Sequence, residues 1–155
     1  MIVAVADTGP LIHLDEIDAL QLLSVVDELL IPQTVYEELK TGTVPSALGT
    51  IKYELVEAEI TERTADLDPG ETAALAVASE RSAVLLTDDL AARDAAEDID
   101  VEVHGSIGII VLGYTRGKLT KSKAAELMRA LQTETSLFIT DAVVERGIAL
   151  LKKST

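Results

Sequence analysis

Ile2-Val3-Ala4-Val5-Ala6-Asp7 and Ala83-Val84-Leu85-Leu86-Thr87-Asp88-Asp89 are two short apolar runs, each halted by acid. Uninterrupted apolar runs of this length suit strands buried on both faces of a parallel sheet. In open parallel sheets, ligands bind beyond the carboxyl ends of the strands. If these two strands are neighbours they lie roughly 4.8 Å apart, and Asp7, Asp88 and Asp89 crowd one edge. Taken singly, each aspartate is better read as the cap of the helix that follows. Taken together they repel one another, and a hard divalent cation such as Mg²⁺ or Mn²⁺ relieves that repulsion through oxygen ligands.

Outward from these runs, strands and helices alternate. Asp7-Thr8-Gly9-Pro10 opens a helical stretch through Leu14, and 19–26 reads as helical. A second short strand covers 29–31. Pro32 starts a helix through Leu39, closed by Lys40-Thr41-Gly42. Pro45 and Gly49 break 43–52, and 53–60 reads as an edge strand or a loop. After a polar connection over 61–68, Asp68-Pro69-Gly70-Glu71 is a helix start leading through 73–80. The strand 83–87 is followed by a helix over 90–96 and a short strand over 101–104. The last third reads as three helices: Ser106 caps 107–116 with Gly117 as the stop, Thr120 caps 121–132, and Thr140 caps 141–151. This order predicts a single domain over 1–155, a three-layer α/β/α sandwich around a mainly parallel sheet.

Composition narrows the setting. The chain has 155 residues, enough for one proper core. It has no cysteine, which excludes disulfides and thiolate metal sites. No apolar run approaches the length of a membrane span. The apolar start lacks a basic leader and stops at Asp7, so it reads as a strand rather than a signal peptide, and the expected location is the cytoplasm. There are 27 acidic against 13 basic residues, a net charge of −14, yet 48% of residues are hydrophobic. That excludes a disordered acidic tail and disfavours long-range attraction to bare nucleic acid. Together with the scarcity of Lys and the absence of Trp, it reads as a halophilic surface, suited to a high-salt cytoplasm. On this reading the melting temperature rises markedly as KCl is added, because screening weakens repulsion among surplus carboxylates. A flat or falling melting curve would contradict the halophilic reading alone.

Two further acids stand out by helical position. Glu71 lies on the same face as Leu75 and Ala78, where a solvated glutamate is unexpected. Favourable interaction with the helix N-terminus is its plainer explanation. Glu37 and Glu38 are neighbours of identical chemistry. Val35 and Leu39 define the buried stripe of their helix; at about 100° per residue, Glu37 points away from it and Glu38 lies on its flank. Glu38 is therefore the site candidate and Glu37 the solvated residue.

These pieces, in order, resemble the PIN-domain nucleases and, within them, the VapC-like toxin branch. The matching stretches are Ile2 to Ile12; Ile31-Pro32-Gln33-Thr34-Val35-Tyr36-Glu37-Glu38-Leu39; Gly70-Glu71-Thr72-Ala73-Ala74-Leu75-Ala76; and Leu85-Leu86-Thr87-Asp88-Asp89. Gly105-Ser106-Ile107-Gly108 and Ile139-Thr140-Asp141 resemble one subgroup of that superfamily. The resemblance implies metal-dependent hydrolysis of RNA by an endoribonuclease, the toxin of a toxin–antitoxin pair. It implies an acidic quartet of Asp7, Glu38, Glu71 and the Asp88-Asp89 pair that binds Mg²⁺ or Mn²⁺. Spacing after the threonine favours Asp89 as the main ligand. The third acid, Asp in many relatives, is Glu71 here. Thr8 is expected to support Asp7 through its hydroxyl, and Arg93, one turn after Asp89, to contact a substrate phosphate. A small antitoxin protein and a homodimer are the partners implied. The alternative is a non-catalytic PIN-fold module that binds RNA or protein.

Other features carry less. His13 and His104 lack ligand spacing and read as structural or surface residues. Tyr36, Tyr53, Tyr114 and Phe138 form no stacking array. Asp7-Thr8-Gly9 also resembles the aspartic-protease motif, but that chemistry needs a second aspartate and an all-β fold, which the capped helices oppose.

Overall fold

The computed structural model describes residues 1–59 and 67–153. The polar connection expected over 61–68 lies outside the described residues up to position 66. Five strands form one sheet: β1 (Val3–Ala6), β2 (Glu28–Pro32), β3 (Glu54–Val56), β4 (Val84–Leu86) and β5 (Val103–His104). Their order is β3-β2-β1-β4-β5, and every neighbouring pair is parallel. The two runs that open the sequence are thus adjacent, with Val5 beside Leu85 and Ala6 beside Leu86. Ala4, Val5 and Ala6 are fully buried, as expected for a strand covered on both faces.

Among the described residues, seven helices surround the sheet: α1 (Thr8–Glu16), α2 (Gln33–Lys40), α3 (Pro69–Arg81), α4 (Leu90–Asp98), α5 (Ser106–Thr115), α6 (Lys121–Glu134) and α7 (Asp141–Lys153). They cover both faces, giving the three-layer α/β/α sandwich. α3 packs on β1, β2 and β4 and against α4, while α5 packs against α1, α6 and α7. The segment read as helical over 19–26 is a tighter 3-10 helix, Leu20–Val25, and a second covers Ser46–Thr50. The edge position of β3 explains its weak pattern: Glu54 and Leu55 are exposed and only Val56 is buried.

The helix starts follow local chemistry. Asp68 and Glu71 make a full capping box at α3, with Pro69 in the first turn. Thr120 accepts from the Lys123 N–H at the start of α6. Ser106 departs from expectation. The cap of α5 is Gly105, and Ser106 spends its backbone N–H and hydroxyl on Asp88 instead. At the other end of α5, Gly117 has φ +77°, and the Lys118 N–H reaches back to the Gly113 carbonyl. No helix of the described chain is long and apolar enough to cross a membrane.

Strand order reverses between β1 and β4. β2 and β3 lie on one side of β1, and β4 and β5 on the other. The carboxyl edge at such a switch point is where open α/β sheets leave a crevice. Asp7 leaves β1 there, and Thr87-Asp88-Asp89 leaves β4.

Candidate functional site

Asp7 caps α1 and is 3% exposed. Its Oδ1 accepts the Thr8 N–H at 2.8 Å, and its Oδ2 accepts the Thr87 hydroxyl at 2.8 Å. The hydroxyl that supports Asp7 therefore comes from Thr87, on the neighbouring strand's extension. Thr8 contributes its backbone instead. Thr87 is fully buried, and its Oγ1 also accepts the Asp89 N–H at 3.2 Å, so one hydroxyl ties two acids together.

Glu38 projects from α2 and is half-buried; Glu37, next to it, is exposed and bound to Gln33 and Lys40. The two residues thus differ in exposure as the helical-face reading expects. Glu38 Oε1 accepts the Gly70 N–H at 2.8 Å. A Cβ on residue 70 would meet the Glu38 carboxylate where it now lies, so any side chain there would push Glu38 off this contact. This contact brings the second acid against the first turn of α3.

Glu71, 8% exposed, accepts the Asp68 N–H at Oε1, 2.9 Å away, while Asp68 Oδ1 accepts the Glu71 N–H at 2.8 Å. Its helix-capping explanation is thus realised. Asp89 is near enough to Glu71 to raise its pKa. Asp89 caps α4, accepting the Ala92 N–H at 2.9 Å. Three acids here, Asp7, Asp68 and Asp89, are helix caps. The positive N-terminal ends of α1, α3 and α4 offset part of the charge gathered at the sheet edge.

Burial, and behind it the remaining negative charge, shifts these acids upward. Burial pushes Asp7 up to about 6, and the charges of Asp68 and Glu38 add to it, against the lowering donors Thr8 and Thr87. Burial, then the charge of Asp68, raises Glu38, partly countered by the Gly70 N–H. Glu71 is pushed up to about 8, first by burial and then by Asp89 and Asp68, with the Asp68 N–H opposing. Among the described residues, the charges that shift these three carboxyls are those of Asp68, Glu38 and Asp89, all negative. Asp68 acts on all three, and the sequence reading missed it. Its position in a strong capping motif gave a sufficient local explanation, and nothing in the sequence showed the exposed side chain facing the other acids.

Asp88 behaves differently from Asp89. Its Oδ1 accepts the Ser106 N–H at 2.6 Å, and its Oδ2 accepts the Ser106 hydroxyl at 2.6 Å and lies 2.8 Å from His13 Nδ1. Asp88 thus joins β4, α1 and α5. Arg93 lies on α4, half-buried, with its guanidinium beside Gly105. His104 is exposed and pairs with Glu102, away from the acids.

Among the described residues, no three of the acids and histidines are placed to share one ion in this conformation. The donor set nonetheless fits a hard divalent cation. It consists of carboxylate oxygens only, it is crowded and desolvated, and among the described residues no arginine forms an ion pair with Asp7, Glu38, Asp68, Glu71 or Asp89.

Comparison with known proteins agrees with this architecture. A PilT N-terminus domain protein from the hyperthermophilic archaeon Sulfolobus solfataricus P2 shares the fold, with a TM-score of 0.57 and 21% identity over 70% of this chain and 90% of that one. No curated protein sequence matches. A family model described as PIN domain matches residues 3–153. The chain belongs to the PIN domain family.

Proposed function

We propose that this PIN domain is a divalent-metal-dependent endoribonuclease in which Asp7, Glu38, Glu71 and Asp89 would hold Mg²⁺ or Mn²⁺. The observation that carries the proposal is the gathering of Asp7, Glu38, Glu71 and Asp89, with Asp68, at the switch-point edge, where burial first and neighbouring acids second raise Asp7, Glu38 and Glu71. We assign the fourth position to Asp89 rather than Asp88, because Asp88 already spends both oxygens on Ser106 and His13. A bound ion acidifies water and neutralises phosphate charge during hydrolysis. The chain's own contribution is orientation and proton handling. The Thr8 N–H and the Thr87 hydroxyl fix the Asp7 carboxylate in one rotamer. Without metal Glu71, raised to about 8, keeps a proton near neutrality; as a ligand it would give up that proton when the ion binds. Arg93 and Thr8 are the proposed phosphate contacts. With an ion held by these acids, the cleft of a chain with net charge −14 would be less repulsive to RNA. Cleavage of single-stranded or structured RNA is expected with Mg²⁺ or Mn²⁺ and none with chelator. Cleavage that survives chelation, or none under any metal, overturns the proposal; RNA binding without turnover returns the non-catalytic reading.

The ordered acidic motifs support a finer reading, a cytoplasmic VapC-like toxin that works as a homodimer and is restrained by a small antitoxin protein. Induction in a host should then arrest growth, and a small neighbouring reading frame should reverse the arrest. Normal growth on induction removes the toxin role and leaves the nuclease proposal standing.

The two adjacent glutamates give a sharper test. Glu38→Gln keeps an oxygen for the Gly70 N–H but removes the charge that Asp68 opposes. Calorimetry should show weaker Mn²⁺ binding, and the metal-free protein should melt at a higher temperature. Glu37→Gln should leave metal binding unchanged and shift stability by no more than about 0.5 kcal/mol, as at an exposed site. The reverse ranking would move the second ligand to Glu37.

A further inference from the structure

Asp88 sits beside the acidic group yet is saturated by neighbours, and the residues it holds are chemically suggestive. A carboxylate only accepts hydrogen bonds, so the His13 nitrogen 2.8 Å from Asp88 Oδ2 carries the hydrogen. The neutral ring then presents Nε2 as a lone-pair acceptor. Among the described residues Nε2 has no hydrogen-bond partner, and the ring is partly exposed. The ring is 15% exposed, and its Cε1 lies 3.6 Å from a Cβ position built on Gly9, two residues after Asp7. On the other side of Asp88, Arg93 Nη1 and Asp88 Oδ1 each lie 2.7 Å from a Cβ position built on Gly105. The Arg93 guanidinium likewise makes no ion pair among the described residues. One carboxylate therefore sits between a partly exposed acceptor and an unpaired cation, at the rim of the acidic group.

A hydrogen-bond acceptor and a cation flanking one carboxylate have the chemistry to read a ribose hydroxyl and a phosphate of an RNA strand. We propose that His13, oriented by Asp88, accepts the substrate's ribose 2′-hydroxyl beside the phosphate contacted by Arg93, and so makes the site prefer RNA over DNA. This rests on the nuclease reading, because the rim matters only if a nucleic acid occupies the cleft. A purely structural His13 would tie α1 to β4, but Ser106 already supplies one donor to each Asp88 oxygen, and that role gives no reason for an open Nε2.

The test uses the wild-type protein with Ca²⁺ in place of Mg²⁺, an oxygen-seeking ion of looser geometry that should let RNA bind without cutting. Fluorescence anisotropy at alkaline pH compares one RNA oligonucleotide with its 2′-deoxy counterpart. The RNA should bind roughly fivefold more tightly, the scale of one neutral hydrogen bond. Adding His13→Phe should bring the ratio to one by weakening RNA binding alone. Because Phe leaves Asp88 short of a donor, His13→Lys serves as the second variant: it can donate to Asp88 but offers no acceptor. It should also bring the ratio to one, even if its charge tightens both complexes. A ratio unchanged in the folded variants, or no RNA preference at the outset, overturns the assignment of His13 and leaves the nuclease reading intact. Binding of neither oligonucleotide overturns both.

Discussion

Asp7→Asn should reduce RNA cleavage on the order of 10³-fold, the scale expected when a charged group acting at the reacting centre is lost, while the protein stays folded. The second half of this expectation follows from the site's hydrogen bonds. Both oxygens of Asp7 accept, one from the Thr8 N–H and one from the Thr87 hydroxyl. Asparagine keeps an oxygen for Thr8 and presents its NH₂ to Thr87. A hydroxyl both donates and accepts, so Thr87 can rotate its hydrogen away and receive the amide. Asp7 is also a carboxyl whose charged form is disfavoured by burial and by Asp68 and Glu38. Replacing it with a neutral group of the same shape should leave the metal-free melting temperature unchanged or higher. Lost cleavage with an intact or raised melting temperature is therefore the signature of a ligand. Retained cleavage would exclude Asp7 from the chemistry. Lost cleavage with a collapsed melting temperature would make it a structural cap.

The sequence made β1 and β4 legible because parallel strands buried on both faces have to be apolar throughout, and the acids that stop them mark the sheet's carboxyl edge. Glu38 could be separated from Glu37 because a helix has a fixed period and Val35 and Leu39 set its phase. These are local properties. What escaped reading is relational. Thr87 reaches Asp7 across 80 positions, and His13 reaches Asp88 across 75; no local pattern encodes either pairing. Ser106 looked like a helix cap because serine before an apolar run usually is one, yet Asp88 takes both of its donors. Asp68 was explained too well by its own capping box for its charge on three other acids to be suspected. In each case a residue with a satisfactory local role has a second role fixed by tertiary packing.

Metal-free protein should lose stability as pH rises from about 5 to about 8, opposite to ordinary acid unfolding. In the folded chain Asp7 is raised from 3.8 to about 6 and Glu71 from 4.5 to about 8. Glu38 moves in the same direction. A carboxyl with a higher pKa when folded binds its proton more tightly in the native state. Folding then takes up protons, and each step up in pH opposes it. The contribution is fully present below the unfolded values, declines through the interval, and is gone once pH exceeds the folded ones. Asp27 is shifted the opposite way by the Ile2 N–H, but it is exposed at the surface, where such interactions contribute little. The net charge of −14 also disfavours the compact state as carboxyls ionise, so a slope alone does not locate its cause. Glu71→Gln does. It cannot ionise, keeps an oxygen for the Asp68 N–H, and should remove much of the decline above pH 6. Mn²⁺ added to the wild-type protein at pH 8 should restore the lost melting temperature by binding only the folded, ionised site. Melting curves of chelator-treated protein across this range, for wild type and Glu71→Gln, decide the matter. An identical slope in the two proteins places the repulsion on the general surface and removes Glu71 from the crowded group.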